Sequence, residues 1–183
     1  MRKIVLSMVM SLDGFVAGED GDSSWHVMDE EMHDFMDDFL GSVDTLLYGR
    51  VAYEMMLQHW PSAEFDKKST EKNRSFARKM NKMKKVVFSR TLEKVEWNAR
   101  LVKGNLAFEV EKLKDQPGKK IALLAGASIA QTFIQHDLID EYRLILNPVL
   151  IGKGQRLFND VNQKLELIES RTFQCGNVLL VYK

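Results

Sequence analysis

The apolar positions divide the chain into alternating strands and helices. Ile4 to Met10 is almost wholly apolar, as in a central strand covered on both faces. Ser11 to Gly18 mixes turn formers with apolar side chains and reads as a loop returning to line a cavity, and the polar stretch Glu19 to Ser24 reads as an exposed loop. From Asp29 to Leu40, Met32, Phe35, Met36, Phe39 and Leu40 recur at helical spacing. Asp29, Glu30 and Glu31 occupy the first turn of that helix, where acids suit the dipole, and Gly41 is its expected stop. Val43 to Tyr48 is a second strand. Val51 to His59 is a short helix expected to end before Trp60-Pro61. After a loop from Ala63 to Lys68, Ser69 or Thr70 caps a helix running to about Met83. Lys85 to Arg90 is a third strand, and Val95 to Val102 holds a short one. Asn105 caps a helix through Leu113, which Gln116-Pro117-Gly118 ends. Ile121 to Leu124 is a buried strand, and Ala125-Gly126-Ala127-Ser128 opens a helix with Ile129, Phe133 and Ile134 on one side.

The pattern changes after Asp140. Tyr142 to Val149 is a strand, and Lys164 to Phe173 and Val178 to Tyr182 form a hairpin through the Gly176-Asn177 turn. Early alternation with a late hairpin predicts an α/β fold, a mainly parallel central sheet with helices on both faces and a C-terminal antiparallel hairpin. No repeat, low-complexity stretch or linker interrupts it, so residues 1–183 read as one domain.

Charge narrows the function. Lysine plus arginine and aspartate plus glutamate are 26 each, for a formal net charge of zero, which disfavours a broad basic face for nucleic acid. The basic surface of the helix ending near Met83 reads as a solvated face. A single cysteine, Cys175, excludes an internal disulfide and any multi-cysteine zinc site and suits a reducing compartment. His26, His33, His59 and His136 lack metal-ligand spacing, so no metal is expected. Ser128 lacks the nucleophile-elbow glycines, and Cys175 has no histidine-based motif beside it. The short N-terminal apolar run has no cleavage pattern, and no apolar stretch is long enough to span a bilayer. The expectation is a cytoplasmic protein without membrane or nucleic-acid partners.

Chemistry concentrates where strands end. Tyr48-Gly49-Arg50 and Leu124-Ala125-Gly126-Ala127-Ser128 lead from strand into helix. Each can offer free N–H groups to a pyrophosphate. Phe88-Ser89-Arg90 supplies a hydroxyl and a guanidinium, a pair suited to a phosphate monoester. In open α/β sheets the carboxyl ends of parallel strands carry the ligand. Three phosphate-type sites there point to NADP, although no Gly-x-Gly-x-x-Gly follows the first strand.

These motifs occur in a fixed order: Ser11-Leu12-Asp13-Gly14, Tyr48-Gly49-Arg50, Phe88-Ser89-Arg90, Ala125-Gly126-Ala127-Ser128 and Asn147-Pro148-x-x-x-Gly152-x-Gly154-x-x-x-Phe158. The ordered set resembles the dihydrofolate-reductase-like superfamily. Within it, the chain is similar to the reductase domain of the bifunctional riboflavin-biosynthesis deaminase–reductase. The resemblance implies a three-layer fold, NADPH as cofactor and a homodimer. It implies that Gly49 and Arg50 meet the phosphates, with Val51 and Ala52 at the helix start. Ser89 and Arg90 would hold the 2′-phosphate. Ala125, Gly126, Ala127, Ser128, Ile129 and Gln131 would form the second phosphate-binding turn, and Val9 and Val16 would flank the nicotinamide. Dihydrofolate reductases often carry a cis Gly-Gly pair in that second turn, where this chain has Ala125-Gly126.

On the substrate side, the resemblance places Trp25 in the loop after the first strand. It offers Glu30, with neighbours Asp29 and Glu31, as an enclosed carboxylate that holds and protonates a heterocycle. Asp13 would fix the first loop, and Lys153 would meet an anionic substrate. The implied activity is NADPH-dependent reduction of a small heterocycle, either 5-amino-6-(5-phosphoribosylamino)uracil-like or pteridine-like. The alternatives are an NADP-binding module without turnover and a dihydrofolate reductase proper. The first loop lacks the proline-rich segment of typical folate reductases, which argues against the last.

Overall fold

A computed structural model describes residues 1–183. Its elements in chain order are β1 (Ile4–Ser11), β2 (Phe15–Ala17), α1 (Glu30–Ser42), β3 (Val43–Gly49), α2 (Arg50–Ala63), α3 (Glu71–Lys82), β4 (Lys84–Phe88), β5 (Ala99–Val102), α4 (Leu106–Lys114), β6 (Lys120–Leu123), α5 (Ala127–Gln135), β7 (Glu141–Asn147), β8 (Gln155–Arg156), β9 (Leu167–Thr172) and β10 (Val178–Tyr182). Eight strands form one sheet in the order β5-β4-β3-β6-β1-β7-β10-β9. The strands from β5 to β7 in that order pair in parallel. β10 runs antiparallel to β7 and β9 antiparallel to β10, which makes the expected hairpin.

Side-chain alternation builds the three layers. Successive strand residues face opposite sides of a sheet. Val5, Leu46, Tyr48, Val87 and Ala122 therefore pack with Phe39, Leu40, Ala52, Tyr53, Phe76 and Met80 from α1, α2 and α3. Their chain neighbours Ile4, Leu6, Leu47, Val86, Ile121 and Leu123 pack on the other face with Val110, Leu113, Ala130, Phe133 and Ile134 from α4 and α5. The continuous apolar runs of β1 and β6 follow from burial on both faces.

The strand order also creates a switch point. Adjacent strands β3 and β6 lead away in opposite directions, β3 through α2 and α3 to β4, and β6 through α5 to β7. Right-handed crossovers running opposite ways put their helices on opposite faces. A crevice then opens between the first turns of α2 and α5, at the carboxyl end of the sheet.

Several boundaries differ from the sequence reading. α1 continues through Gly41 to Ser42 and passes directly into β3, with the Val43 N–H bonded to the Leu40 carbonyl. No left-handed residue is needed there, so Gly41 is a helical residue and not a stop. α2 contains Pro61 and ends at Ala63. Pro61 lies in the last turn, where the helix loses one hydrogen bond and little follows it to be disrupted. β7 ends at Asn147 because Pro148 has no N–H to extend the ladder. β4 ends at Phe88, and the Ser89 hydroxyl accepts from the Thr91 and Leu92 N–H groups to turn the chain. β9 begins at Leu167, later than its polar and apolar alternation suggests. The loop after β1 holds β2, which pairs with β8 as a separate ribbon. Of the two expected caps for α3, Thr70 serves.

Lys85 is a buried cation that closes a helix end. Its Nζ donates to the carbonyls of Met80 (2.6 Å), Met83 (2.9 Å) and Asn81 (3.3 Å) at the end of α3 and lies 4.0 Å over the Trp97 ring. These carbonyls have no intrahelical donors. Burial pulls the Lys85 pKa down from 10.5 to about 8.

Two outcomes follow. Between the folded value of about 8 and the unfolded value of 10.5, the unfolded chain holds a proton at Lys85 that the folded chain has lost. Stability from this group therefore rises with pH across that window. Chemical denaturation at stepped pH should show the rise in the wild type and a flatter profile in Lys85→Met. Gly154 has φ +149°, and a Cβ there would strike the Ala17 carbonyl, whereas a Cβ on Gly41 meets nothing within 4 Å. Thermal melts should show Gly154→Ala destabilised by about 2 kcal/mol or more and Gly41→Ala stabilised by about 0.5–1 kcal/mol.

Candidate functional site

Helix capping separates two helices from the other three. Asp29, Thr70 and Asn105 cap α1, α3 and α4, each accepting an N–H of the first turn through its own side chain. α2 and α5 start from Gly49 and Gly126, and neither has a side-chain cap. These are the two helices at the switch point. Their first-turn N–H groups stay available to an anion.

The two starts touch. A Cβ on Gly49 would lie 2.9 Å from Cγ2 of Ile129, in the first turn of α5. Glycine at this position lets the β3–α2 turn approach α5. Gly49 pairs with Phe88 in the β3–β4 ladder, so Arg50 and Ser89 leave the sheet side by side. Arg90 follows, exposed, with no ion pair or side-chain hydrogen bond. Arg50 instead meets Glu54 at 2.9 Å, both groups partly in solvent. Ala125 and Ala127 are buried and Ser128 is exposed, and every peptide bond is trans, the Ala125–Gly126 bond included.

The ends of β1 and β7 complete the edge. Ser11 pairs with Asn147, and the Ser11 hydroxyl accepts the Phe15 N–H at 3.0 Å. Asp13 fastens the first loop to the segment after β7, accepting from Gly152 N (2.8 Å) and Ile151 N (3.3 Å). Its carboxyl is held below the usual range, first by a hydrogen bond with Ser11 and then by these backbone donors against the cost of desolvation. Val9 is half-buried beside β7, and Val16, the middle residue of β2, is buried in the core cluster that includes Met10 and Leu157. Gln131 spends its amide on the Arg156 carbonyl at 2.7 Å, tying α5 to that ribbon.

Arg156 is a candidate the sequence reading did not single out. Its guanidinium stacks 4.5 Å from the Phe15 ring and reaches within 3.9 Å of where a Cβ on Gly14 would sit. It has no ion pair. The strands that position it are three and two residues long, too short to leave a periodic signal.

The substrate-side candidates scatter. Trp25 donates through Nε1 to the Asp22 carbonyl at 3.1 Å and stands edge-on to His26. Asp29 is occupied as the α1 cap, accepting from Met32 N at 2.8 Å. The Glu30 side chain is 86% exposed and paired with Lys72 at 3.2 Å. Glu31 binds Arg171 (2.7 Å) and Gln174 N (3.0 Å), and these contacts lower its pKa. The enclosed carboxylate anticipated at the start of α1 is not formed, because each acid already has a partner at the surface. Lys153 is exposed and pairs with Glu19 at 2.7 Å.

This architecture is the dihydrofolate-reductase-like α/β class. Residues 2–181 match the family described as the RibD C-terminal domain, and the chain belongs to that family. It is 41% identical to the uncharacterized protein YyaP of Bacillus subtilis (strain 168) over 183 residues, covering 99% of this chain and 94% of that one. A second B. subtilis protein, the uncharacterized YwjB, is 29% identical over 186 residues, covering 99% and 97%. Among solved structures, a Shewanella sp. PV-4 protein assigned to riboflavin biosynthesis superposes with a TM-score of 0.73 at 26% identity, covering 100% of this chain and 98% of that one. The Thermotoga maritima diaminohydroxyphosphoribosylaminopyrimidine deaminase/5-amino-6-(5-phosphoribosylamino)uracil reductase gives 0.67 at 16% identity, and the chain spans 56% of its length. Enterococcus faecalis dihydrofolate reductase, solved with NADP(H), gives 0.67 at 10% identity, covering 98% and 95%. These last two establish likeness of fold.

Asp13→Ala removes both acceptors that hold the loop after β7. Hydrogen exchange at Ile151 and Gly152 should accelerate about tenfold or more while the core of β1 keeps its protection. Unchanged exchange there would show that Asp13 is not the fastening group.

Proposed function

We propose that the protein is an NADPH-dependent reductase of a small heterocycle. The observation that carries this reading is the pair of uncapped, glycine-started helices meeting at the switch point of a parallel sheet. In this reading Gly49, Arg50, Val51 and Ala52 bind one side of the pyrophosphate. Ala125, Gly126, Ala127, Ser128 and Ile129 bind the other through backbone N–H groups. Ser89 and the free guanidinium of Arg90 hold the 2′-phosphate, and Val9 and Val16 border the nicotinamide. Bound NADPH supplies a hydride, while the protein orients the two reactants and limits water around them. The reductase activity named for the T. maritima relative and the NADP(H) bound by the E. faecalis enzyme support the reading by fold.

No acid at the start of α1 is both enclosed and unpaired. Solvent therefore delivers the proton in this scheme, and neither Asp29 nor Glu30 is required as a general acid. The same observation favours a second reading, an NADP-binding module without turnover. Oxidation of NADPH in the presence of pterin and pyrimidine substrates separates the two.

Titration calorimetry with both cofactors tests the reading. Arg90→Ala should weaken NADPH binding about tenfold to a hundredfold, the worth of a charge-assisted phosphate contact, and leave NADH within about twofold. Equal losses for the two cofactors would place Arg90 outside the 2′-phosphate site. Glu30→Gln should leave kcat within about twofold, because an exposed ion pair contributes little. A loss of a hundredfold or more would return the acid role to Glu30.

A further inference from the structure

A second unpaired cation stands at the carboxyl edge, away from Arg90. Arg156 belongs to β8, a strand of two residues, and is exposed. Four separate contacts fix its place. Its carbonyl accepts from the Gln131 amide at 2.7 Å, which ties β8 to α5. Its backbone pairs antiparallel with β2, where Phe15 lies opposite Arg156. Asp13 holds the segment leading into β8 through Ile151 N and Gly152 N. The guanidinium itself lies 4.5 Å from the ring of Phe15, a residue only 4% exposed. A ring face both attracts a guanidinium and sets its orientation.

No acid of the chain pairs with this cation. Asp13, the acid beside Gly14 and Phe15, spends one oxygen on each of two backbone N–H groups. Glu19, just beyond β2, is taken by Lys153. The guanidinium therefore keeps its donors for a group from outside the chain, and their fixed fork suits two oxygens of one anion.

Arg156 stands at the other end of the edge from Arg90. Arg90 follows β4. Arg156 lies against the loop that follows β1, with Nη1 3.9 Å from where a Cβ on Gly14 would sit, and the Ser11 hydroxyl at the end of β1 accepts the Phe15 N–H. Strands β4, β3, β6 and β1 are consecutive in the sheet, so these two ends are three strand spacings, about 14 Å, apart. The starts of α2 and α5 follow β3 and β6 and lie between them. A ligand along this edge meets Arg90, then the two helix starts, then Arg156.

We propose that Arg156 binds an oxyanion, phosphate or carboxylate, at the β1 end of the crevice. The inference rests on the reductase reading and adds a charge requirement to it. Two sources can bring that anion: the pyrophosphate of the cofactor, or an anionic group on the substrate. Each offers paired oxygens to the same guanidinium, and Phe15 is the positioning residue that holds it in plane.

Titration calorimetry on the whole chain tests this. Arg156→Gln keeps part of the stem against Phe15 and removes the charge, and Arg156→Lys keeps the charge without the paired donors. Arg156→Gln should weaken binding of the anion about tenfold or more, and Arg156→Lys should weaken it less. Both variants should melt within about 3 °C of the wild type, because the residue is exposed. A loss shared equally by NADPH and NADH identifies the pyrophosphate, in contrast to Arg90→Ala, which spares NADH. Unchanged cofactor affinities with a loss for inorganic phosphate or benzoate, titrated into NADPH-loaded protein, identify an anionic group of the substrate. Two results overturn the inference. One is no change for any of these ligands. The other is a loss that comes with a lower melting temperature and that Arg156→Lys does not relieve, since Arg156 then only holds the ribbon. If the wild type binds neither cofactor, the reductase reading itself fails, and the phosphate and benzoate titrations of the unloaded protein decide on Arg156 alone.

Discussion

Everything at the carboxyl edge of the sheet depends on how closely α2 and α5 begin to one another. Gly49 has no side chain, and the Ile129 side chain occupies the space one would need. That contact lets two helix starts converge from opposite faces. Because neither start carries a capping side chain, the partial positive charges of both are directed into one crevice. The other three helices satisfy their first turns internally. Capping therefore separates helices that only hold the fold from those open to an anion.

The remaining parts of the edge support this crevice through long-range ties. Asp13 fixes the loop after β7, Gln131 holds the β2–β8 ribbon to α5, and Asn147 accepts the Val27 N–H at 2.8 Å to bring in the segment before α1. Each tie spends a polar side chain on backbone, the neutral amides of Gln131 and Asn147 without adding charge and the Asp13 carboxylate with its charge held by two backbone N–H groups. The free cations at this edge, Arg90 and Arg156, are then the groups able to answer a ligand's charge.

The layers were legible in the sequence because buried strands and amphipathic helices leave different periods. Thr70 and Asn105 were readable as caps because a cap acts within three residues. Gly49 and Gly126 stood out as turns, and their positions on one edge follow from strand order. What escaped was decided at long range. Glu30 and Lys72 are 42 residues apart, so nothing local signals that Glu30 is already paired at the surface. The β2–β8 ribbon joins segments about 140 residues apart through two very short strands, and Arg156 was hidden with it. Gly41 and Pro61 misled because the usual meaning of glycine and proline near helix ends did not hold where α1 runs straight into β3 and α2 had one turn left to run.

The most direct measurement is an NADPH titration followed through the backbone amide signals of the protein by NMR. The amides of residues 50–52 and 127–129 should move together, with a single shared affinity, if both helix starts grip one pyrophosphate. Movement of only one set, or of amides elsewhere while both sets stay still, would contradict it.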